Sequence, residues 1–157
     1  MEKSFGSYHL KLANNSYTDA IKSVVFDVLK EYHLVAGAID FCLENVETHY
    51  LNQGGIFLVL MDGKERVVGT GGLYRLNDQT VELRKMYLLS EHRGKGLGKW
   101  LLTTLLDEAK RLGYKRVELE TASVLKEAIG LYKKYGFQPF NSDHIATRCD
   151  QAYELIL

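Results

Sequence analysis

Arg93-Gly94-Lys95-Gly96-Leu97-Gly98-Lys99-Trp100 is the stretch on which the reading of this chain turns. Three glycines in five positions leave backbone N–H groups uncovered by side chains. Apolar residues then recur at helical spacing (Leu97, Leu101, Leu102, Leu105, Leu106, Ala109, Leu112), so the glycine run opens a helix of about four turns. The first N–H groups of such a helix have no carbonyl partner, and its dipole places partial positive charge at the same end. Arg93, Lys95 and Lys99 add full charges. Together these predict a cradle for an anion of the phosphate or pyrophosphate kind.

Working outward, Thr80 to Leu89 reads as the strand before the loop. Val81 and Leu83 alternate with polar residues until Arg84-Lys85 interrupts the period ahead of Met86-Tyr87-Leu88-Leu89, which predicts a bulge. Beyond the helix, Gly113 is a stop signal. Arg116 to Thr121 then alternates Val117 and Leu119 against Glu118 and Glu120, a strand. A strand–helix–strand crossover predicts a parallel pair. Upstream, Ile56 to Met61 is continuously apolar, the mark of a strand covered on both faces. Asp62-Gly63 and Asn77-Asp78 are turn signals around a returning strand, Arg66 to Leu76. Tyr8 to Ala13 is a first strand. Thr18 or Asp19 is placed to cap a helix carrying Ile21, Val24, Val25, Val28, Leu29 and Tyr32. A second helix is expected over Ala38 to Tyr50, a short one over Leu125 to Tyr135, and final strands over Phe137 to Phe140 and Tyr153 to Leu157. The order predicts a mixed α/β (α+β) sheet with helices on both faces.

The chain has 157 residues and a single proline, Pro139, with no linker, repeat or low-complexity tract, so one domain over residues 1–157 is expected. Formal net charge is zero, a poor match for a nucleic-acid partner. Cys42 and Cys149 have no metal-ligand spacing, and His9, His33, His49, His92 and His144 are scattered, so no metal is expected. The longest apolar run, Ile56 to Met61, is too short to span a bilayer, and Met1 to Phe5 has no apolar run of a signal peptide. No membrane partner and a cytoplasmic location are therefore expected.

The anion loop is of a particular kind. A P-loop would need glycine at position 93 and serine or threonine after Gly98-Lys99, where the chain has Arg93 and Trp100. The dinucleotide fingerprint would need a third glycine at position 99 or 101, where lysine and leucine stand. What fits is Arg-x-x-Gly-x-Gly, at Arg93, Gly96 and Gly98. A second motif follows, Ala128-Ile129-Gly130-Leu131-Tyr132-Lys133-Lys134-Tyr135-Gly136-Phe137. With both motifs in order and a strand between them, the chain resembles the GNAT family of N-acetyltransferases over nearly its whole length. The resemblance implies a mostly antiparallel sheet of six to seven strands with one splayed parallel pair. It also implies that the glycine loop takes the pyrophosphate of acetyl-CoA.

On that resemblance the cofactor-binding residues are Arg93, Gly94, Lys95, Gly96, Leu97, Gly98 and Lys99 in the loop, and Met86, Tyr87 and Leu88 on the bulged strand. There free backbone groups would pair with the amides of the pantetheine arm. Many relatives carry an asparagine seven positions before the motif tyrosine; here that position is Leu125, and Ser123 is the candidate replacement. Tyr132 is the candidate general acid for the departing thiolate. Glu82 and Glu120 are candidate bases, since an alkyl ammonium with a pKa near ~10.4 must lose a proton before it attacks. Arg84 is a candidate for holding a substrate carboxylate. The expected activity is acetyl-CoA-dependent acetylation of a primary amine on a small molecule, an amino acid or a polyamine, without a metal. The protein would act as a monomer or a homodimer, the latter by pairing of the C-terminal strand. A non-catalytic acyl-CoA-binding module, a protein N-acetyltransferase and a nucleotide-phosphate protein unrelated to CoA are the alternatives.

Overall fold

Side chains that alternate across a sheet need a layer of partners on each side, and here both layers are helical. The structure is a computed structural model that describes residues 1–142, 145 and 148–157; His144 lies outside the described residues. The strands are Glu2–Phe5 (β1), Tyr8–Leu12 (β2), Ile56–Met61 (β3), Val67–Arg75 (β4), Thr80–Leu88 (β5), Arg116–Thr121 (β6), Gln138–Pro139 (β7) and Gln151–Ile156 (β8). The helices are Thr18–Glu31 (α1), Val46–His49 (α2), Leu97–Arg111 (α3) and Lys126–Lys134 (α4). Among the described residues the strands form one sheet in the order β1-β2-β3-β4-β5-β6-β8-β7. Its pairs are antiparallel except β5 with β6.

Every residue of β3 is buried, and its alternate side chains enter two cores. Leu58 and Leu60 pack with Leu101, Leu105 and Ala109 of α3; Phe57, Val59 and Met61 pack with Ile21, Val25 and Leu29 of α1. Glycines in β4 let the layers close on the sheet. A Cβ on Gly71 would stand 2.8 Å from Leu105, and one on Gly72 would stand 2.7 Å from the Phe57 ring and 2.8 Å from the Tyr50 ring.

The sequence reading departs from the structure in five places. β1 was not expected, because all four of its residues are exposed and no apolar alternation marks it; Gly6, at φ 59°, turns it onto β2. Neither Thr18 nor Asp19 caps α1. A 3-10 turn over Asn15–Tyr17 leads into the helix, and the Asn14 side chain accepts from the Ser16 N–H. The helix expected over Ala38 to Tyr50 is a 3-10 segment, Ala38–Asn45, followed by the single turn of α2. Asn45 breaks it, leaving helical geometry at φ −152°, ψ 80° so that its side chain can accept from the Thr48 N–H. In the β3–β4 turn the left-handed residue is Glu65 (φ 59°), not Gly63, and Asp62 accepts from the Lys64 and Arg66 N–H groups. Finally, β8 lies between β6 and β7, inside the sheet, so the C-terminal strand is not the free edge that a strand-paired dimer would use.

Candidate functional site

The bulge is where the sequence placed it. Between the pairs Thr70↔Tyr87 and Gly72↔Arg84, β4 advances two residues and β5 three. The extra residue is Lys85, at φ 57°. Simple alternation would send Arg84 and Lys85 to opposite faces. The bulge puts both on the α1 face, where the Arg84 guanidinium lies 3.7 Å over the Tyr74 ring and Lys85 bonds Asp40. Pairing between β5 and β6 stops at Glu82↔Glu118, while β6 stays paired with β8 as far as Thr121. Past that point the two parallel strands part, and a cleft of about 320 Å³ opens between them.

The glycine loop lies along this cleft. Gly94 and Gly96 have φ of 77° and 80°, which other residues adopt only under strain. Gly96 precedes α3 without a side-chain cap. The first helical N–H to find a carbonyl is that of Trp100, bonded to Gly96 at 3.1 Å, so the N–H groups of Leu97, Gly98 and Lys99 have no helical partner. A Cβ on Gly94 would meet nothing within 4 Å, one on Gly96 only Phe5 at 3.9 Å, and one on Gly98 only Leu131 at 3.8 Å. Unspent donors around open space, beside an unpaired strand edge, fit a pyrophosphate joined to an amide-bearing arm.

The predicted contacts divide. Met86, Tyr87, Leu88, Arg93, Gly94, Gly96, Gly98 and Lys99 line the cleft. The Leu97 side chain is buried in the core, leaving only its backbone available. Lys95 turns to the N-terminal hairpin and donates to the Tyr8 hydroxyl at 3.3 Å; that hydroxyl also bonds His92 Nδ1 at 2.8 Å. Ser123 is exposed and gives its hydroxyl and N–H to Asp150 at 2.7 and 2.8 Å. Arg93 is held on several sides. Its Nε donates to the Leu88 carbonyl at 3.0 Å, its two terminal nitrogens to Glu31 at 2.6 and 2.8 Å, and one of them also to the Tyr32 hydroxyl at 3.1 Å. It thereby ties the end of α1 to the loop.

Tyr132 reaches the cleft from α4. Its ring packs 5.6 Å from that of Phe137, and among the described residues its hydroxyl has no hydrogen-bond partner. Burial, reinforced by Tyr87 and Cys149, pushes the phenol above its ordinary range, so it keeps its proton at neutral pH. Glu82 and Glu120 line the cleft from β5 and β6, and Arg84 is ion-paired with Glu82. The Cys149 thiol is pushed up to about 11 by burial and by Glu120.

The sequence reading missed one cluster. Asp40 accepts from Lys85, from both terminal nitrogens of Arg148 at 2.7 and 2.9 Å, and from the Gly37 N–H at 2.8 Å. Burial alone would raise this carboxyl, but the bonds from Arg148, Lys85 and Gly37 outweigh it and hold the group well below the usual carboxylate range. Only Lys85 had a signal, the break in the β5 alternation. Asp40 lies in the segment whose apolar stripe predicted an ordinary helix, and nothing in the sequence singled out Arg148.

Comparison with known proteins agrees with this geometry. The acetyltransferase (GNAT) family matches residues 24–137. An N-acetyltransferase of Escherichia coli, YjgM, is 38% identical over 126 residues, covering 76% of this chain and 75% of that protein. Human N-acetyltransferase 8B is 33% identical over 101 residues, 61% of this chain, which thus spans only 44% of that relative's length. A Staphylococcus aureus GNAT acetyltransferase superposes with a TM-score of 0.88 at 24% identity, covering 94% of this chain and 97% of that one. A Sinorhizobium meliloti phosphinothricin acetyltransferase, solved in complex with AcCoA, superposes with a TM-score of 0.75 at 20% identity, covering 96% and 89%.

Proposed function

This chain belongs to the GNAT acetyltransferase family, and from that premise we propose that it acetylates a primary amine of a small molecule, of amino acid or polyamine type, using acetyl-CoA. One observation carries the reading: an uncapped helix start behind a glycine loop, set against the place where β5 and β6 part. Acetyl-CoA supplies the activated acetyl thioester. Gly94, Gly96 and Gly98, the free N–H groups at the start of α3, and the charges of Lys99 and Arg93 would hold its pyrophosphate. The unpaired edge of β5 at Met86, Tyr87 and Leu88 would hold the arm.

The chain's own chemistry then has two parts. Glu82 and Glu120 stand where the amine would give up its proton, either to a carboxylate or through water. The buried phenol of Tyr132 keeps a proton at Oη for the departing sulfur. Two free thiols support a reducing compartment, the cytoplasm. Among the described residues no helix is long and apolar enough to cross a membrane.

The test is thiol release with mass detection of product, using the purified chain, acetyl-CoA and a panel of amino acids, polyamines and peptides with free N-termini. Acetylation of a small amine is the expected result. Thiol release with no small amine, or transfer to the peptides alone, overturns the small-molecule reading.

A further inference from the structure

Two cations in the cleft wall share one carboxylate. Lys85 and Arg148 both line the cleft, and their side chains are 3% and 11% exposed; the Asp40 side chain between them is 5% exposed. The four donors that Asp40 accepts fill its two oxygens. Among the described residues one positive charge is therefore left over in a nearly dry spot, and burial together with Arg148 pushes the Lys85 ammonium below its ordinary range, a cost that an arriving anion would relieve. Among the described residues Lys85 makes no second hydrogen bond, so its remaining N–H groups are unspent. Among the described residues no other carboxylate bonds Lys85 or Arg148. Glu82 is held by Arg84, whose guanidinium is also stacked on Tyr74, so the Arg84 charge is already paired. Glu120 lines the cleft from β6, and the Cys149 thiol feels Glu120 on one hand and Arg148 and Lys85 on the other. Lys85, Arg148 and Glu120 thus line one cleft.

We infer that the acceptor bears a carboxylate beside its amine, as an α-amino acid does, with the carboxylate seated on Lys85 and Arg148 and the amine turned toward Glu120 and Tyr132. This rests on the acetyl-transfer reading and narrows it. A polyamine brings no anion to the excess charge and is repelled by it.

The experiment compares matched acceptors: the standard L-amino acids, their carboxamides and their decarboxylated amines. Wild type should favour acid over carboxamide by at least ~30-fold in kcat/KM, the scale of an unpaired buried charge. Arg148→Gln and Lys85→Met should each bring that ratio toward one. Either variant leaves Asp40 one cation, so it stays paired and the fold is kept, as a melting curve checks. A second arm titrates the CoA-saturated protein with the N-acetyl-L-amino acids and their carboxamides by calorimetry. Tighter binding of the acids, lost in Arg148→Gln, supports the seat even if no amine is turned over, in which case the transfer reading alone fails. If amines are acetylated with no preference for the acid, or if the variants lower the melting temperature without moving the ratio, the cluster is only a strut and the inference is overturned.

Discussion

At the scale of single residues, Tyr132 and Asp40 make opposite use of burial. Tyr132 is buried with its hydroxyl unpartnered among the described residues, so it keeps its proton at neutral pH. Tyr132→Phe should lower kcat by ~100-fold or more while leaving the acetyl-CoA dissociation constant nearly unchanged, since only the proton donor is removed. Turnover at the wild-type rate would take the acid role away from it. Asp40 is buried with four donors, and its carboxyl is depressed. A carboxyl with a folded pKa below its unfolded value, near ~3.9, stabilises the protein fully above that value and loses the contribution as pH falls toward the folded one. Asp40→Asn should cost about 3–5 kcal/mol near neutral pH, because it strands two buried cations. In urea titrations the gap between wild type and variant should be constant from pH 7 to 5 and shrink below about pH 4. A gap that widened on acidification would reverse the assigned direction. Of these two residues only Tyr132 was legible in the sequence, through its Leu-Tyr-x-x-x-Gly-Phe setting. Asp40 sits in a 3-10 segment that resembles an ordinary amphipathic helix on paper, and its partners are 45 and 108 positions away.

At the scale of elements, legibility follows the strength of the period. α3 has an unbroken apolar stripe and β3 an unbroken apolar run, and both formed close to the expected bounds. The second helix had the stripe but also Asn45, whose side chain competes for the backbone and ended it. β1 had no period at all. The bulge was readable because a lapse in alternation is itself a signal, although only the structure shows that it brings Arg84 and Lys85 to one face. The glycine loop offers a clean test of ligand volume. Gly98 has no positive φ, and a Cβ there would meet only Leu131 at 3.8 Å. Gly98→Val should therefore fold with a melting temperature near that of wild type yet weaken acetyl-CoA binding by ~10-fold or more, measured by calorimetry, because its methyls occupy the space given to the anion. Gly96→Val would confound the two effects, since φ 80° strains any side chain there. Undiminished binding by Gly98→Val would move the pyrophosphate away from the start of α3.

At the scale of the whole molecule, the cleft is where one sheet fails to stay closed. β5 is held by β4 and β6 by β8, but beyond Glu82↔Glu118 nothing in the sheet joins the two halves. Two side-chain links help to bridge the surroundings: Arg93 to Glu31, tying the loop to α1, and Arg148 to Asp40, tying the segment before β8 to the 3-10 segment before α2. A ligand that lies along the split would touch β5, the start of α3 and α4 together, and so should act as the missing pairing between the halves. Because it binds the folded chain alone, acetyl-CoA at 100 times its dissociation constant should add about 2.7 kcal/mol of stability. For a chain of this size that corresponds to a rise in melting temperature of roughly 5–10 °C. CoA should give a comparable shift, because it carries the same pyrophosphate and arm. ATP, which has phosphates for the loop but no arm to lie along Met86 to Leu88, should give much less. Equal shifts from ATP and CoA would mean that the loop alone binds, and that the open edge of β5 is not part of the site.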